Sequence, residues 1–399
     1  MSPEKTPFPE PCVGNTCQAP EHDLRVHLPV AGRCNARVIN GSGPCVSPSL
    51  SPRDAIALLE KVTEEAKGKP ITMVAVCGPG DPLATPEETL AALRLVRQTY
   101  PGLPVCIGTN GLGGAAVATD LADIGLDHVT LYVNAVDPEI AATVYQWIRP
   151  AKRTLPVREA AGMLVAEQRE ALLAFKAAGL AVKVDITVFP GLNDDHVLEI
   201  ARTVAELGAD CLEVTPCAPV PASETTPGIA APTEESLASL RAAAAASLPV
   251  TTAPDACSAG GSVALQQDTS PKAGGLDFLS LLPKPDAERP YVAVATTDGF
   301  DVNEHLGRAQ RFLIYGPKEG LVSLLDARPG PTPGAGDERW EKLADTLPDC
   351  KLLLVEHAGQ NPEQVLARRG IRVVRVSANI ESIVDKLYGG DKKGRGRNK

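Results

Sequence analysis

The sequence predicts an α/β protein with a large parallel sheet and a second, smaller mixed α/β domain. Apolar strand-like runs and helix-like stretches alternate about six times between residues 24 and 251, which requires parallel strands joined by helical crossovers. Residues 252–289 are dominated by Ala, Gly, Ser, Pro and Thr, a composition typical of a linker. A further alternation fills residues 290–388, the size of one compact domain. From this pattern the first sheet is either a partial barrel or a doubly wound sheet.

The residues that flank each helix and strand predict where it begins and ends. Ser51 can cap a helix that has Pro52 in its first turn, and a strand at 71–77 leads into a Gly- and Pro-rich turn. In the first domain the remaining predicted helices are 85–98, 116–124, 138–147, 166–178, 194–207 and 233–246, and the strands are 105–109, 129–134, 182–189 and 211–215. In the second domain the predicted strands are 292–296, 311–315, 321–325, 352–355 and 371–376, and the helices are 340–346, 363–368 and 380–387.

Composition excludes several classes of function. The formal net charge of −10 argues against a surface for nucleic acid or an anionic membrane. No apolar run approaches the ~20 residues that cross a bilayer, and the polar N-terminus lacks the regions of a signal peptide. We therefore expect a cytoplasmic protein. Residues 1–23 are predicted to form an irregular Pro-rich arm and residues 389–399 a basic tail.

The ten cysteines do not indicate a disulfide framework in a cytosolic chain of this length. Cys77, Cys106 and Cys211 lie in or at the ends of apolar runs, which favours buried thiols. The others of interest lie in Gly-, Pro- and Ser-rich loops and are Cys12, Cys17, Cys34, Cys45 and Cys257. Loop thiols outside disulfides either bind metal or have no role.

Polar, irregular segments follow the predicted strands, at the edge where ligands bind in both architectures. One begins at Cys34, and the others are 78–81, 109–111, 134–137, 190–194 and 216–221. Together they predict a binding site at the carboxyl edge of the sheet. The alternative is that they are only tight connections between strands and helices.

Several segments are specific enough to support a resemblance. They are HLPVAGRCN (27–35), GPGDPLATPE (78–87), TNGL (109–112), VTLYVNAVDPEIAATVYQWIR (129–149), FPGLNDDHV (189–197) and ELGADCLEVTPCAPVP (206–221). Through them about the first 265 residues resemble the NifB family of radical S-adenosylmethionine (SAM) proteins, which act in biosynthesis of the nitrogenase iron–molybdenum (FeMo) cofactor. Residues 290–388 resemble a NifX-type cofactor-carrier domain through VAVATTDGFDVNEHLGRAQRFLIY (292–315). The resemblance implies a partial TIM-type (βα)6 barrel over residues 24–251, followed by a small ribonuclease H-like domain.

The resemblance also implies a four-iron cluster in the loop after the first strand. In the family three cysteines with the spacing Cys-x3-Cys-x2-Cys hold it and leave one iron open for SAM. Cys34 matches the first cysteine, but Val38 and Gly41 occupy the other two positions, and neither side chain binds iron. Cys257 resembles the first member of a Cys-x2-Cys pair whose second position is Gly260. The radical site is therefore degenerate, and whether the chain is an enzyme stays open.

The candidate site residues follow from the matched motifs. Candidate ligands of an iron–sulfur cluster, with an incomplete ligand set, are Cys12, Cys34, Cys45, Cys257 and His305. Candidate contacts to SAM are Gly78, Pro79, Gly80, Asp81, Thr109, Asn110 and Asn134, and Asn303 and Arg308 would assist an anionic cluster. For the turn residues the alternative is that the turns themselves need them, and for His305 that it is a solvated loop residue.

Three functions remain open at this point. The first is a scaffold or carrier that binds an iron–sulfur precursor of the cofactor. The second is an active radical SAM enzyme that forms the precursor by carbide insertion and cluster fusion. The third is a metal-free assembly or regulatory partner. The expected partners are the iron–sulfur precursor and nitrogenase cofactor assembly proteins, with no nucleic acid and no membrane.

Overall fold

The computed structural model describes residues 24–39, 49–65, 71–78, 80–152, 155–219, 228–251, 262–263, 282–318, 321–331, 336–376 and 379–388. The chain divides into two compact units. The first contains the described residues up to Val263 apart from Ser49, and the second contains those from Leu282 onward. Each unit has its own sheet.

The first unit is built on an eight-stranded parallel sheet that curls into a half barrel. Its strands are β1 (Leu24–His27), β3 (Ile71–Val76), β4 (Val105–Thr109), β5 (His128–Tyr132), β7 (Ala181–Val188), β8 (Cys211–Pro216), β9 (Val250–Thr251) and β10 (Ser262–Val263). The order in the sheet is β10-β1-β3-β4-β5-β7-β8-β9. Apart from β10, the spatial order follows the chain, as expected for repeated right-handed crossovers.

Helices cover one face of this sheet. They are α1 (Pro52–Glu65), α2 (Pro86–Thr99), α3 (Gly114–Ile124), α4 (Pro138–Val144), α5 (Val157–Ala177), α6 (Val197–Glu206) and α7 (Glu234–Ala244). Alternate strand residues such as Val74, Ile107 and Val184 are fully buried, since successive side chains of a strand point to opposite faces. The residues between them therefore line the other face.

Two helices of the first unit differ most from the sequence prediction. The helix predicted to reach residue 147 ends at Val144, because Tyr145–Ile148 forms a strand, β6, antiparallel to β2 (Ala36–Val38). The guanidinium groups of Arg37 and Arg149 lie 5.3 and 4.6 Å from the Trp147 ring centre, a favourable cation–π geometry. The helix predicted to start at residue 166 begins earlier, at Val157.

The second unit is a five-stranded mixed sheet with three helices. Its strands are β11 (Tyr291–Ala295), β12 (Arg311–Lys318), β13 (Leu321–Pro329), β14 (Cys350–Val355) and β15 (Arg372–Arg375), in the order β13-β12-β11-β14-β15. The helices are α8 (Glu338–Thr346), α9 (Gln360–Arg368) and α10 (Ile380–Leu387). Phe312, Leu353 and Val365 belong to its buried apolar core. The ribonuclease H-like assignment stays a prediction.

The predicted linker contains one element that composition did not indicate. Ser262–Val263 forms β10, which pairs with Arg25 and Val26 at the edge of the first sheet. The predicted arm 1–23 and tail 389–399 lie outside the described residues. Across the described ranges no helix combines the length and apolar character needed to cross a membrane.

Candidate functional site

The loop after β1 is held against the turn after β3. The Gly80 N–H donates to the Ala31 carbonyl at 2.5 Å, and the Asp81 N–H donates to the Arg33 carbonyl at 2.7 Å. The two backbones approach so closely that a Cβ on Gly80 would lie 2.0 Å from the Arg33 carbonyl oxygen. Glycine permits this approach. The loop that carries the half-buried Cys34 is thereby fixed at the carboxyl edge of the sheet.

Asp81 joins this turn to the end of β4. Its carboxylate accepts hydrogen bonds from the Leu83 N–H at 2.8 Å, the Thr109 hydroxyl at 2.8 Å and the Asn110 N–H at 2.7 Å. Burial raises the pKa of Asp81, while the three hydrogen bonds lower it. The structure therefore brings three predicted SAM contacts together, and they bond to one another.

Asn110 also reaches the Cys34 loop. Its side-chain Nδ2 donates to the Asn35 side-chain oxygen at 2.5 Å. Asn134 instead bonds to β7 and the loop that follows it, because its Oδ1 accepts from the Thr187 N–H and its carbonyl accepts from Asn193 Nδ2, both at 2.9 Å. Asn110 and Asn134 therefore connect the ends of β4 and β5 to the neighbouring loops and to β7. Of the other predicted SAM contacts, Gly78 lies two residues beyond the end of β3, and Pro79 is outside the described residues.

Apolar packing occupies the position of the expected second cysteine. Val38 ends β2 opposite Tyr145 of β6, and it packs against a buried cluster that contains Val144, Tyr145 and Ile148. The valine side chain has no donor atom for iron, and the β2–β6 pairing fixes its backbone. Gly41, at the third position, lies outside the described residues.

The described cysteines do not form a cluster site around Cys34. They are Cys34, Cys77, Cys106, Cys211, Cys217 and Cys350. Among the side chains that the structure describes, no three of His, Cys, Asp or Glu are arranged to hold a metal ion. The predicted ligands Cys12, Cys45 and Cys257 lie outside this part of the chain. The described loop thus offers one thiolate, whereas a cluster with one open iron requires three.

A second polar region lies on the sheet face opposite the helices, and we call it the inner polar face. It consists of Cys77, Cys106, Tyr132, Lys183, Asp185, Glu213 and Thr215, at strand positions that alternate with the buried residues packed on the helices. The Lys183 ammonium is bonded to the Glu213 carboxylate. Thr215 Oγ1 donates to Asp185 Oδ1 at 3.0 Å, and the register places Asp185 beside Glu213.

The inner polar face contains groups with shifted pKa values. Burial raises the pKa of Asp185 to about 6, the Glu213 charge adds to the rise, and Lys183 opposes it. Next to this face, at the start of β5, burial and the Lys183 charge lower the pKa of His128 to about 4. Interaction with Cys106 lowers the pKa of Cys77, and interaction with Cys77 together with burial raises the pKa of Cys106. Such shifts are typical of sites that handle protons or charged ligands.

The second unit brings two histidines together after neighbouring strands. His305, in the loop after β11, forms a parallel bridge with His357, which follows β14. Their ring centres lie 6.3 Å apart with an interplanar angle of 65°. The Gly307 N–H donates to His305 Nδ1 at 2.8 Å. The sequence predicted His305 but not His357, although a histidine directly after a buried strand is the signal that would have identified it.

The two polar residues predicted beside His305 have different surroundings. The Asn303 side chain forms hydrogen bonds within its own loop. Its Oδ1 accepts from the Thr297 N–H at 2.9 Å, and its Nδ2 donates to Asp298 Oδ2 at 2.6 Å. Arg308 has an exposed side chain, and its N–H donates to the His305 carbonyl at 2.8 Å. Asn303 therefore shapes the loop, while Arg308 places a positive charge on the surface near it.

Comparison with known proteins assigns each unit to a family. The radical SAM superfamily model matches residues 17–204, and the dinitrogenase iron–molybdenum cofactor model matches residues 288–390. A FeMo cofactor biosynthesis protein NifB from Chlorobaculum tepidum is 39% identical over 381 residues, which cover 92% of this chain and 89% of that protein. The chain belongs to the NifB family. The predicted resemblance is confirmed for both parts of the chain.

A second relative agrees with this assignment to NifB, and a solved structure is similar to the chain at lower identity. The FeMo cofactor biosynthesis protein NifB of Klebsiella pneumoniae is 30% identical over 391 residues, covering 87% of this chain and 83% of that protein. Among solved structures, a radical SAM methyltransferase from Sphaerobacter thermophilus is 18% identical with a TM-score of 0.45, covering 58% of this chain and 65% of that one. Radical SAM membership implies an iron–sulfur cluster and SAM. In this NifB-family chain, the described residues of the first loop supply one thiolate, Cys34, of the three that such a cluster requires.

Proposed function

We propose that this NifB-family chain takes part in FeMo cofactor biosynthesis as a scaffold or carrier for an iron–sulfur precursor, and that it does not generate a deoxyadenosyl radical. One observation carries the proposal. Val38 stands at the second ligand position, and its side chain packs in the apolar cluster beneath the β2–β6 pair.

The chemistry of the radical reaction explains why this observation is decisive. The cluster must be held by three thiolates so that its fourth iron stays open to the amino and carboxylate groups of SAM. Substituting a single ligand leaves a second iron without its thiolate, and the half-buried Val38 side chain presents only apolar atoms at that position. A cluster bound through Cys34 then lacks the three-cysteine loop of the radical site, and in the proposal it is cargo rather than a resident catalytic centre.

The rest of the first unit supports binding of a polar guest. Gly80 and Asp81 position the Cys34 loop, and the inner polar face offers thiols, carboxylates and a lysine on the concave side of the half barrel. In the proposal Cys12, Cys45 and Cys257 contribute further thiolates. The proposed place for SAM is the edge formed by the Gly78–Asp81 turn and the ends of β4 and β5.

In this proposal the two domains have different roles. Residues 24–251 receive the precursor, residues 252–289 link the domains, and residues 290–388 carry the cluster on His305 toward nitrogenase cofactor assembly proteins in the cytoplasm. The match of the dinitrogenase iron–molybdenum cofactor family to residues 288–390 supports the second assignment.

Iron content tests whether the chain holds a cluster. After anaerobic reconstitution with iron and sulfide, the wild-type chain should retain iron, and Cys34→Ala should retain about four fewer iron atoms per chain, the content of one cubane cluster. Cys211→Ala is the matched control, because this buried cysteine packs with Ala181 and has no part in the proposal. Iron retention by Cys34→Ala equal to that of the control would contradict a role for Cys34. A wild-type chain without iron would support the metal-free assembly partner instead.

A further inference from the structure

We propose that His357 and His305 together form a two-imidazole metal site on the second unit, and that this site binds one iron of the precursor cluster. The inference rests on the proposed carrier function and adds a ligand, His357, to the residue that the sequence motif indicated. The two histidines are then the side chains through which the second unit binds the cluster.

The backbone sets both histidines in place. The Leu306 N–H donates to the His357 carbonyl at 2.8 Å, and the Glu356 N–H donates to the Glu304 carbonyl at 3.0 Å. These two bonds extend the β14 strand by pairing it with the His305 loop. The two side chains are therefore held side by side by main-chain pairing.

The location in the sheet is one where ligands bind. The strands β11 and β14 are parallel neighbours, but the chain leaves β11 to form β12 on one side and returns later to form β14 on the other. This is a topological switch point, and the crevice beyond the carboxyl ends of the two strands is its usual binding site. Both histidines lie at those ends and are half-buried, so a cluster can reach them from solvent.

The ring separation fits a shared metal ion. An imidazole nitrogen binds a metal at about 2.0–2.1 Å, so two rings on one metal have centres about 5 Å apart at a tetrahedral angle and about 6.5 Å apart when opposed. The observed separation of 6.3 Å lies within this range. Closing the pair to tetrahedral geometry requires a shift of about 1 Å, which side-chain torsions can supply.

Two protein ligands are suited to a cluster that is bound and then passed on, rather than to a permanently bound metal ion. In the described part of the chain no third His, Cys, Asp or Glu completes the site, so the other positions on the iron belong to the sulfides of the cluster. Imidazole is a suitable ligand for iron, and two neutral ligands hold a cluster less firmly than a cage of thiolates. The helix α9 begins three residues after His357, and its amino end favours an anionic guest.

Metal binding changes which ring nitrogen of His305 carries the proton of the neutral imidazole. In the structure Nδ1 accepts the Gly307 N–H, which places the ring proton of the neutral imidazole on Nε2. A metal on Nε2 needs that lone pair, so the proton moves to Nδ1 and the Gly307 bond is lost. The Gly307 amide therefore reports on occupation of the site independently of any histidine variant.

The test uses the full-length chain, labelled with 13C at the histidine ring carbons and with 15N at the glycine amides, and Co²⁺ as the paramagnetic probe. The chain has only six histidines, so the NMR signal of each ring can be followed separately. Co²⁺ that binds to thiols elsewhere in the chain therefore does not affect the measurement at His305 and His357. We expect the His305 and His357 signals to broaden over the same range of Co²⁺ concentration. In His357→Gln the His305 signal should need at least about tenfold more Co²⁺, and His305→Gln should do the same to the His357 signal.

The control variant is Gln364→Ala, on the exposed side of α9, which should leave both signals as in the wild type. If a histidine variant fails to fold, the wild-type chain still gives an answer, because diamagnetic Zn²⁺ should shift the Gly307 amide together with both histidine rings. Independent broadening of the two rings, or an unchanged His305 signal in His357→Gln, would overturn the two-imidazole site. The iron content of the reconstituted chain tests the carrier function separately, so the two failures are distinguishable.

Discussion

Gly80→Ala should lower the free energy of unfolding by about 3 kcal/mol or more, the scale of a severe steric conflict inside a structure. The added Cβ would lie 2.0 Å from the Arg33 carbonyl oxygen and 2.8 Å from the Arg33 nitrogen, both backbone atoms that no rotamer change can move. The turn after β3 and the Cys34 loop would have to separate. The bonds from Gly80 and Asp81 to that loop would then be lost together.

The chain contains a matched control two residues earlier. A Cβ on Gly78 would have its nearest neighbours at 3.8 and 3.9 Å, which is ordinary contact. Urea unfolding of Gly78→Ala should therefore stay close to the wild type, and reconstituted Gly80→Ala should also lose the iron that depends on Cys34. Equal stability of the two variants would show that the close approach of the two backbones does not hold the site.

Asp185→Asn should make the protein more stable at pH 8, by up to about 3 kcal/mol, and should make little difference below pH 4. The folded chain keeps the Asp185 proton up to about pH 6, whereas the ordinary pKa is 3.8. Between those values the folded state binds more protons than the unfolded state, so stability falls as the pH rises. A difference of about two pKa units corresponds to about 3 kcal/mol. Asparagine keeps an oxygen for the Thr215 hydroxyl and cannot ionise.

Urea unfolding at a series of pH values measures this effect. The control is Asp123→Asn on the exposed side of α3, which should change the unfolding free energy by less than about 0.5 kcal/mol at any pH. A variant that is less stable than the wild type at pH 8 would contradict the prediction. It would mean that attraction to Lys183 outweighs the combined effect of burial and Glu213.

Local pattern predicted most of the fold, and pairing over long distances explains where it failed. The six-fold alternation depends on residues close in sequence, so the parallel sheet and its crossovers were predictable. The helix that ends at Val144 was predicted too long because β6 exists only through its partner β2, about a hundred residues earlier. The helix α5 was predicted to start too late, although it includes Gly162, a residue with low helix propensity, at a position where a side chain would meet open space.

The candidate site was predictable to the same extent. Parallel strand ends share one edge, so the contact between the Cys34 loop, Asp81 and Thr109 followed from their positions after strands. The inner polar face was missed because the strand at 182–189 was interpreted as an apolar run. The alternation of Lys183, Asp185 and Thr187 within it was the available signal. His357 was missed because only the fold places it beside His305.

The loss of radical chemistry is the central claim, and production of 5′-deoxyadenosine tests it most directly. The chain is reconstituted anaerobically with iron and sulfide, reduced with dithionite and supplied with SAM, beside a radical SAM enzyme of known turnover as the positive control. Because Val38 leaves the cluster without its second thiolate, we expect no 5′-deoxyadenosine above the sample without reductant. Formation of one equivalent or more per chain, dependent on iron and on Cys34, would contradict the account.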